Sequence, residues 1–270
     1  MSPAAPGNAR VRLEAGDASV TVAPDDGCRL ASLVVADHEL LVTSGPPPWH
    51  YGSFVMAPWA GRIRLGRATL GGWTLTFATV LGFYVLHGLV HSTPWQRTAD
   101  ASWMTTITTD AWFGPLEVHQ RVALRHDRLD LELEVIALDA DAPAPATVGW
   151  HPWFVRALDG AALHLDVPAQ WMLERAADGV ASDRRVAVPD GPWDDTFGGL
   201  TGPVTLTWPG VLHLEVHSDA PVMVVYTEPD HAVCVEPQSG PPDEVNIAPR
   251  LVTPEDPLRL TTSWCWRTLG

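Results

Sequence analysis

The chain has 270 residues, 46% apolar and 18% charged, a balance that supports a sizeable core and excludes a disordered chain. Its net charge of -15 comes from 32 acidic residues against 17 basic ones, all of them arginine. So acidic a chain offers little to nucleic acid or an anionic membrane, and without lysine it forms neither a Schiff base nor a P-loop.

In chain order, residues 1–8 show no basic stretch followed by an apolar run, so no secretory leader is predicted. No later run approaches the ~20 apolar residues of a membrane span. Short β-type runs are predicted at 18–22, 40–42, 103–108 and 118–123. Leu129, Leu131, Leu133 and Val135 then alternate with Asp130, Glu132 and Glu134, the signature of a half-buried strand with a wet acidic face. Further runs fall at 163–167, 204–208 and 222–226. Leu212, Leu214 and Val216 alternate with His213, Glu215 and His217, which places both histidines on a solvated face. Segments 139–147 and 182–202, rich in Pro, Asp and Gly, are predicted as long loops. Helical periodicity is almost invisible. One all-β domain spanning residues 1–270, a sandwich or a barrel, is the expectation.

Three segments end an apolar run on a titratable residue. His87 closes Tyr84-Val85-Leu86, His151 follows Thr147-Val148-Gly149-Trp150, and Glu236 closes Ala232-Val233-Cys234-Val235 and opens a loop through Asn246. Residues at strand ends are ordered by the strand yet face whatever lies above it, so one carboxylate and two imidazoles point to acid–base work in a shared cleft. His87 and His91 stand four apart, the spacing of two metal ligands on a helix. The preceding β run and Pro94 argue against a helix there, and no metal is expected. Cys28, Cys234 and Cys265 are far apart and contain no C-x-x-C, so they read as reduced thiols of a cytoplasmic protein. Arg62, Arg64 and Arg67 could clamp a phosphate, but clustered arginines on an acidic protein more often pair with neighbouring carboxylates. No Gly-x-Ser-x-Gly occurs, which removes a serine hydrolase.

Four segments in order resemble the aldose 1-epimerase (galactose mutarotase) family. They are Ala57-Pro58-Trp59-Ala60-Gly61-Arg62-Ile63, then Leu86-His87-Gly88 with Trp95 downstream, then Gly149-Trp150-His151-Pro152-Trp153-Phe154, and last Cys234-Val235-Glu236-Pro237-Gln238 with Pro242-Asp243 and Asn246. The resemblance covers residues ~55 to 250. It implies a large antiparallel β-sandwich and an enzyme that interconverts sugar anomers without cofactor or metal. On this reading Glu236 is the base at O1, His151 the acid at O5, and His87 a hydrogen-bonding group near O5. Arg62 would grip a hydroxyl, and Trp193-Asp194-Asp195-Thr196-Phe197 is similar to the family's Asp-x-x-Phe, with Asp194 in register and Asp195 beside it. Gln238 would line the same loop, and Trp153 and Trp59 are expected to offer apolar faces to a sugar ring. Ala60, Leu89, Trp153 and Pro237 depart from the family pattern, which bears on sugar preference. The expected partner is a free aldohexose. The alternatives are a hexose 6-phosphate, a sugar-binding module without turnover, and a glycoside hydrolase with Asp194 as the second carboxylate.

Overall fold

A computed structural model describes residues 10–47, 49–80, 82–108 and 110–270; the segment read for a leader, residues 1–8, lies outside the described residues. The fold is built from two large antiparallel sheets. The first runs in the order Val11–Ala15, Ala18–Ala23, Arg29–Val35, Ser53–Met56, Gly149–Val155, Ala232–Gln238, Val222–Tyr226, Asp194–Gly198, Trp171–Arg175 and Ala181–Val186, with His38–Glu39 paired to Arg29–Val35. The second runs Gln96–Ala99, Ser102–Ile107, Leu116–Leu124, Arg128–Ala137, Leu258–Thr268, Leu212–Ser218, Val204–Trp208 and His164–Asp166. The only helix among the described residues is the single turn Glu244–Ile247. This is the large antiparallel β-sandwich that the sequence led us to expect.

The alternating strands behave as their pattern demands. In Arg128–Ala137 every second residue is buried, with Leu129, Leu131, Leu133 and Val135 turned inward. These side chains meet the inner face of the first sheet. Phe154 lies edge-on to Trp264 with ring centroids 5.0 Å apart, and the Trp150 indole N–H donates to the Gln120 side-chain oxygen at 2.9 Å. Gln120, itself buried, donates onward to the Cys28 carbonyl, so Trp150 and Gln120 carry their polar atoms into the core already partnered.

The central strands of the first sheet show no such alternation, because both of their faces are covered. Gly149–Val155 and Ala232–Gln238 are buried almost throughout. Trp150, Phe154, Val233 and Val235 face the core between the sheets. Phe54, Met56, Trp153 and Cys234 belong to a smaller apolar cluster on the opposite face.

The structure corrects several expectations. Segment 182–202 is not one loop: it contains the strands Ala181–Val186 and Asp194–Gly198. Its Asp, Gly and Pro residues flank those strands, which is why the composition masked them. His213 and His217 are not simply solvated. Each turns a ring nitrogen toward Glu215, at 3.4 Å and 2.8 Å. His151 and Glu236 are not strand ends either; each sits inside a strand that continues past it. Pro152 and Pro237 cannot donate to a ladder. The ladder between these strands skips that stretch. It pairs Gly149 with Gln238 and Trp153 with Cys234, and the prolines occupy the open middle.

Candidate active site

That skipped stretch builds the site. Continuing the register from Gly149↔Gln238 to Trp153↔Cys234 places His151 directly opposite Glu236. Side chains two residues apart on one strand share a face, and so do cross-strand partners. His151 is paired with Phe54, Glu236 with Val224, Cys234 with Tyr226 and Tyr226 with Asp194. One face of the first sheet therefore presents Phe54, His151, Trp153, Glu236, Gln238, Tyr226 and Asp194 together. All of these except Phe54, which stacks on the His151 ring, line a cavity of about 260 Å³.

The walls come from outside the floor. The hairpin Arg62–Arg64 with Tyr84–Leu86 supplies Arg62, Tyr84 and Leu86, and its end supplies His87. His87 adopts a positive φ of 61°, and its backbone N–H donates to the Gly61 carbonyl at 2.8 Å. Gly88 follows at φ 80°, where a side chain would collide with the Ala57 carbonyl. This turn swings the His87 ring edge-on against His151, with centroids 4.9 Å apart, and sets its Nδ1 3.1 Å from the Met56 sulfur. The outer strand Trp171–Arg175 contributes Arg175.

The His151 ring is sandwiched between Phe54, 4.7 Å away, and Trp153, 5.2 Å away, both nearly parallel to it. Its Nε2 lies 3.3 Å from Glu236 Oε1, while the Gln238 amide donates to Glu236 Oε2 at 3.1 Å. Burial dominates the electrostatics here. It pushes the Glu236 carboxyl well above its usual range, helped by the negative charge of Asp194. It pushes His151 down to about 3, and His87 well below the usual imidazole range. Burial thus disfavours an ion pair across the 3.3 Å contact.

A second polar group lines the far side. Arg62 donates to Asp194 Oδ2 and to the Gly179 carbonyl, both at 2.6 Å, and its guanidinium lies over the Tyr84 ring. Arg175 donates to the same Asp194 oxygen at 3.1 Å and lies 3.5 Å from Asp195. Asp195 folds back to accept the Asp194 backbone N–H. The structure thus brings together Glu236, His151, His87, Arg62, Asp194, Asp195, Gln238 and Trp153 around one cavity.

Trp59 does not join them. It is buried in the core against Trp112 and Phe77 and offers no face to the cavity. Trp153 does line it, although the side chain is only 3% exposed. Arg64 pairs with Asp178 and Asp243 and Arg67 lies on an exposed strand, so neither forms a phosphate clamp with Arg62. The His91 carbonyl accepts from Arg29. Sequence reasoning missed Arg175, Tyr226, Trp49 and His50, all of which line the cavity. Their segments carry no motif; the sheet order delivers Arg175 and Tyr226, and the turn before Ser53–Met56 brings Trp49 and His50.

A profile of the aldose 1-epimerase family matches residues 9–194. No curated protein matches the chain by sequence comparison. Among solved structures, the chain is similar to a galactose mutarotase-like protein from Clostridium acetobutylicum, with TM-score 0.84 and 15% identity over 96% of this chain and 95% of that one. It is also similar to a galactose 1-epimerase from Lactobacillus acidophilus, with TM-score 0.78 and 16% identity over 97% and 95% of the two chains. An aldose epimerase homologue from C. elegans gives TM-score 0.78 and 15% identity over 97% and 99%. With the family profile covering most of its length and the same sandwich underneath, this chain belongs to the aldose 1-epimerase family.

Proposed function

We propose that the protein is a cofactor-independent aldose 1-epimerase acting on a free aldohexose, with Glu236 as base and His151 as acid. Anomer interconversion removes the proton on O1 and delivers one to the ring oxygen O5. The ring opens, the aldehyde end rotates, and the reverse transfers close it on the other face. The observation that carries the reading is the cross-strand pair: a carboxylate and an imidazole 3.3 Å apart at the floor of a cavity.

Burial gives the proton transfers a direction. Before opening, the working form is Glu236 carboxylate with His151 imidazolium. After opening, Glu236 carries the O1 proton and His151 is neutral. A desolvated site favours the uncharged pair, so ring opening relieves charge in the protein as it proceeds. The pair shares one proton in either form and titrates as a unit. His87, kept neutral, is placed to hydrogen-bond near O5, while Arg62, Asp194 and Gln238 supply donors and acceptors for hydroxyl groups. Trp153 and Tyr226 give the cavity the apolar surface that suits the carbon face of a sugar.

The phosphorylated alternative finds less support. The arginines lining the cavity, Arg62 and Arg175, already share Asp194, and Arg175 also faces Asp195 and Glu228. A dianion would have to compete with those carboxylates for both guanidinium groups.

Polarimetry of freshly dissolved α-glucose and α-galactose tests the reading. The protein is expected to accelerate the approach to anomeric equilibrium. Glu236→Gln is expected to lower kcat by about 10²–10⁴-fold, the scale of a lost general base, while the sugar still binds. Near-normal turnover by that variant would remove Glu236 from its role.

A further inference from the structure

Next to the cavity lining stands one group that the proposed reaction does not use. Cys234 lies two residues before Glu236 on the same strand and face, fully buried beneath Trp153 and Tyr226. Its sulfur, a ring nitrogen of His151 and an oxygen of Glu236 all lie within 4.8 Å of one another. No other group of three such donors is that close among the described residues.

We propose that His151, Cys234 and Glu236 form a binding site for a thiophilic divalent cation, tested here as zinc, and that its occupancy shuts off the site. The inference rests on the same residues as the functional reading but requires only their geometry. Tetrahedral zinc with bonds of about 2 Å to nitrogen and oxygen holds those two ligands about 3.3 Å apart. His151 and Glu236 stand at that separation already. The thiol, within 4.8 Å of both, turns inward to complete three ligands, and the longer zinc–sulfur bond of about 2.3 Å tolerates a wider span. The fourth position opens to the cavity.

Charge supports the same set. A buried site disfavours net charge. Zn²⁺ with one thiolate, one carboxylate and a neutral imidazole sums to zero. Binding releases the thiol proton and the proton shared by the pair to solvent, with no change in oxidation state. Hard cations such as Mg²⁺ prefer all-oxygen shells and gain little from this donor set. The ion is not a cofactor of the proposed reaction: it occupies the base and the acid together, so zinc and sugar exclude one another.

Cobalt substitution reads the site without any assay of turnover. Co²⁺ titrated into the protein is expected to give a thiolate-to-cobalt charge-transfer band that Zn²⁺ abolishes and Mg²⁺ leaves unchanged. Cys234→Ala and the near-isosteric Cys234→Ser are each expected to lose the band, whereas Cys265→Ala keeps it. Loss of a direct ligand should weaken zinc at least as much as loss of an outer-shell partner, about 10–100-fold. In polarimetry, zinc inhibition is expected to be competitive with sugar, reversed by chelation and weakened by the same factor in the Cys234 variants. Absence of the band from the wild-type protein, or its persistence without the Cys234 thiol, overturns the proposal. A cobalt band in a protein without mutarotation would keep the metal site and remove the proposed function. Mutarotation without the band would do the reverse.

Discussion

Burial shifts the pKa values of Glu236 and His151 in opposite directions, and their effects on stability run in opposite pH windows. The folded-state pKa of Glu236 is raised, so the folded chain keeps a proton that the unfolded chain gives up above about 4.5. Its contribution is complete below that value and is lost as pH rises through the raised pKa. His151 is depressed to about 3 from 6.5, so its contribution is present above 6.5 and lost as pH falls toward 3. Glu236→Gln removes only the alkaline loss. The variant is expected to melt higher than the wild type at pH 8, with a smaller gain at pH 5; each kcal/mol is worth about 2–4 °C in a domain of this size. A gain independent of pH would mean that the carboxyl is not protonated in the folded state. Such a gain in exchange for lost turnover is the usual relation between a strained site and its scaffold.

At the scale of elements, the turn at His87 and Gly88 is the point where sequence and geometry bind most tightly. Gly88 sits at φ 80° with its α-carbon pressed to the Ala57 carbonyl, while Gly82 has a similar φ of 78° and open space around it. Gly82→Ala should cost only the conformational penalty of about 1–2 kcal/mol. Gly88→Ala adds a backbone collision and should cost well beyond that and displace His87. Thermal melts compare the two, and equal losses would show that the close approach is absent. The strands that bear His151 and Glu236 teach a different point. Their residues were legible from motifs, yet their position inside strands was not. Proline cannot donate to a ladder, and only the register of both strands shows that the ladder steps over Pro152 and Pro237, which lie on either side of the His151–Glu236 pair. The opening left by the missing N–H groups is where the two catalytic candidates face each other.

For the whole molecule, the sandwich sets what the cavity can hold. Its cations are matched by carboxylates, so an aldose is expected to be turned over with a higher kcat/KM than its 6-phosphate, and added salt should leave the rate on the neutral sugar nearly unchanged. A preference for the phosphate ester would mean that Arg175 leaves Asp194 on binding. Alternation along Arg128–Ala137 and Leu212–Ser218 was enough to call for an all-β sandwich or barrel, because a strand with one wet face must repeat every second residue, and the family resemblance pointed to the sandwich. The motifs around His87, His151 and Glu236 were enough to name the candidate acid and base. Period and motif are local properties, and the sequence by itself determined both. Only the tertiary structure decided that Trp59 belongs to the core and Trp153 to the cavity, that segment 182–202 holds two strands, and that Arg175 and Cys234 stand at the site. Those outcomes depend on which strands become neighbours, and neighbourhood is fixed by how two sheets bury their faces together, a choice that no single stretch of chain encodes.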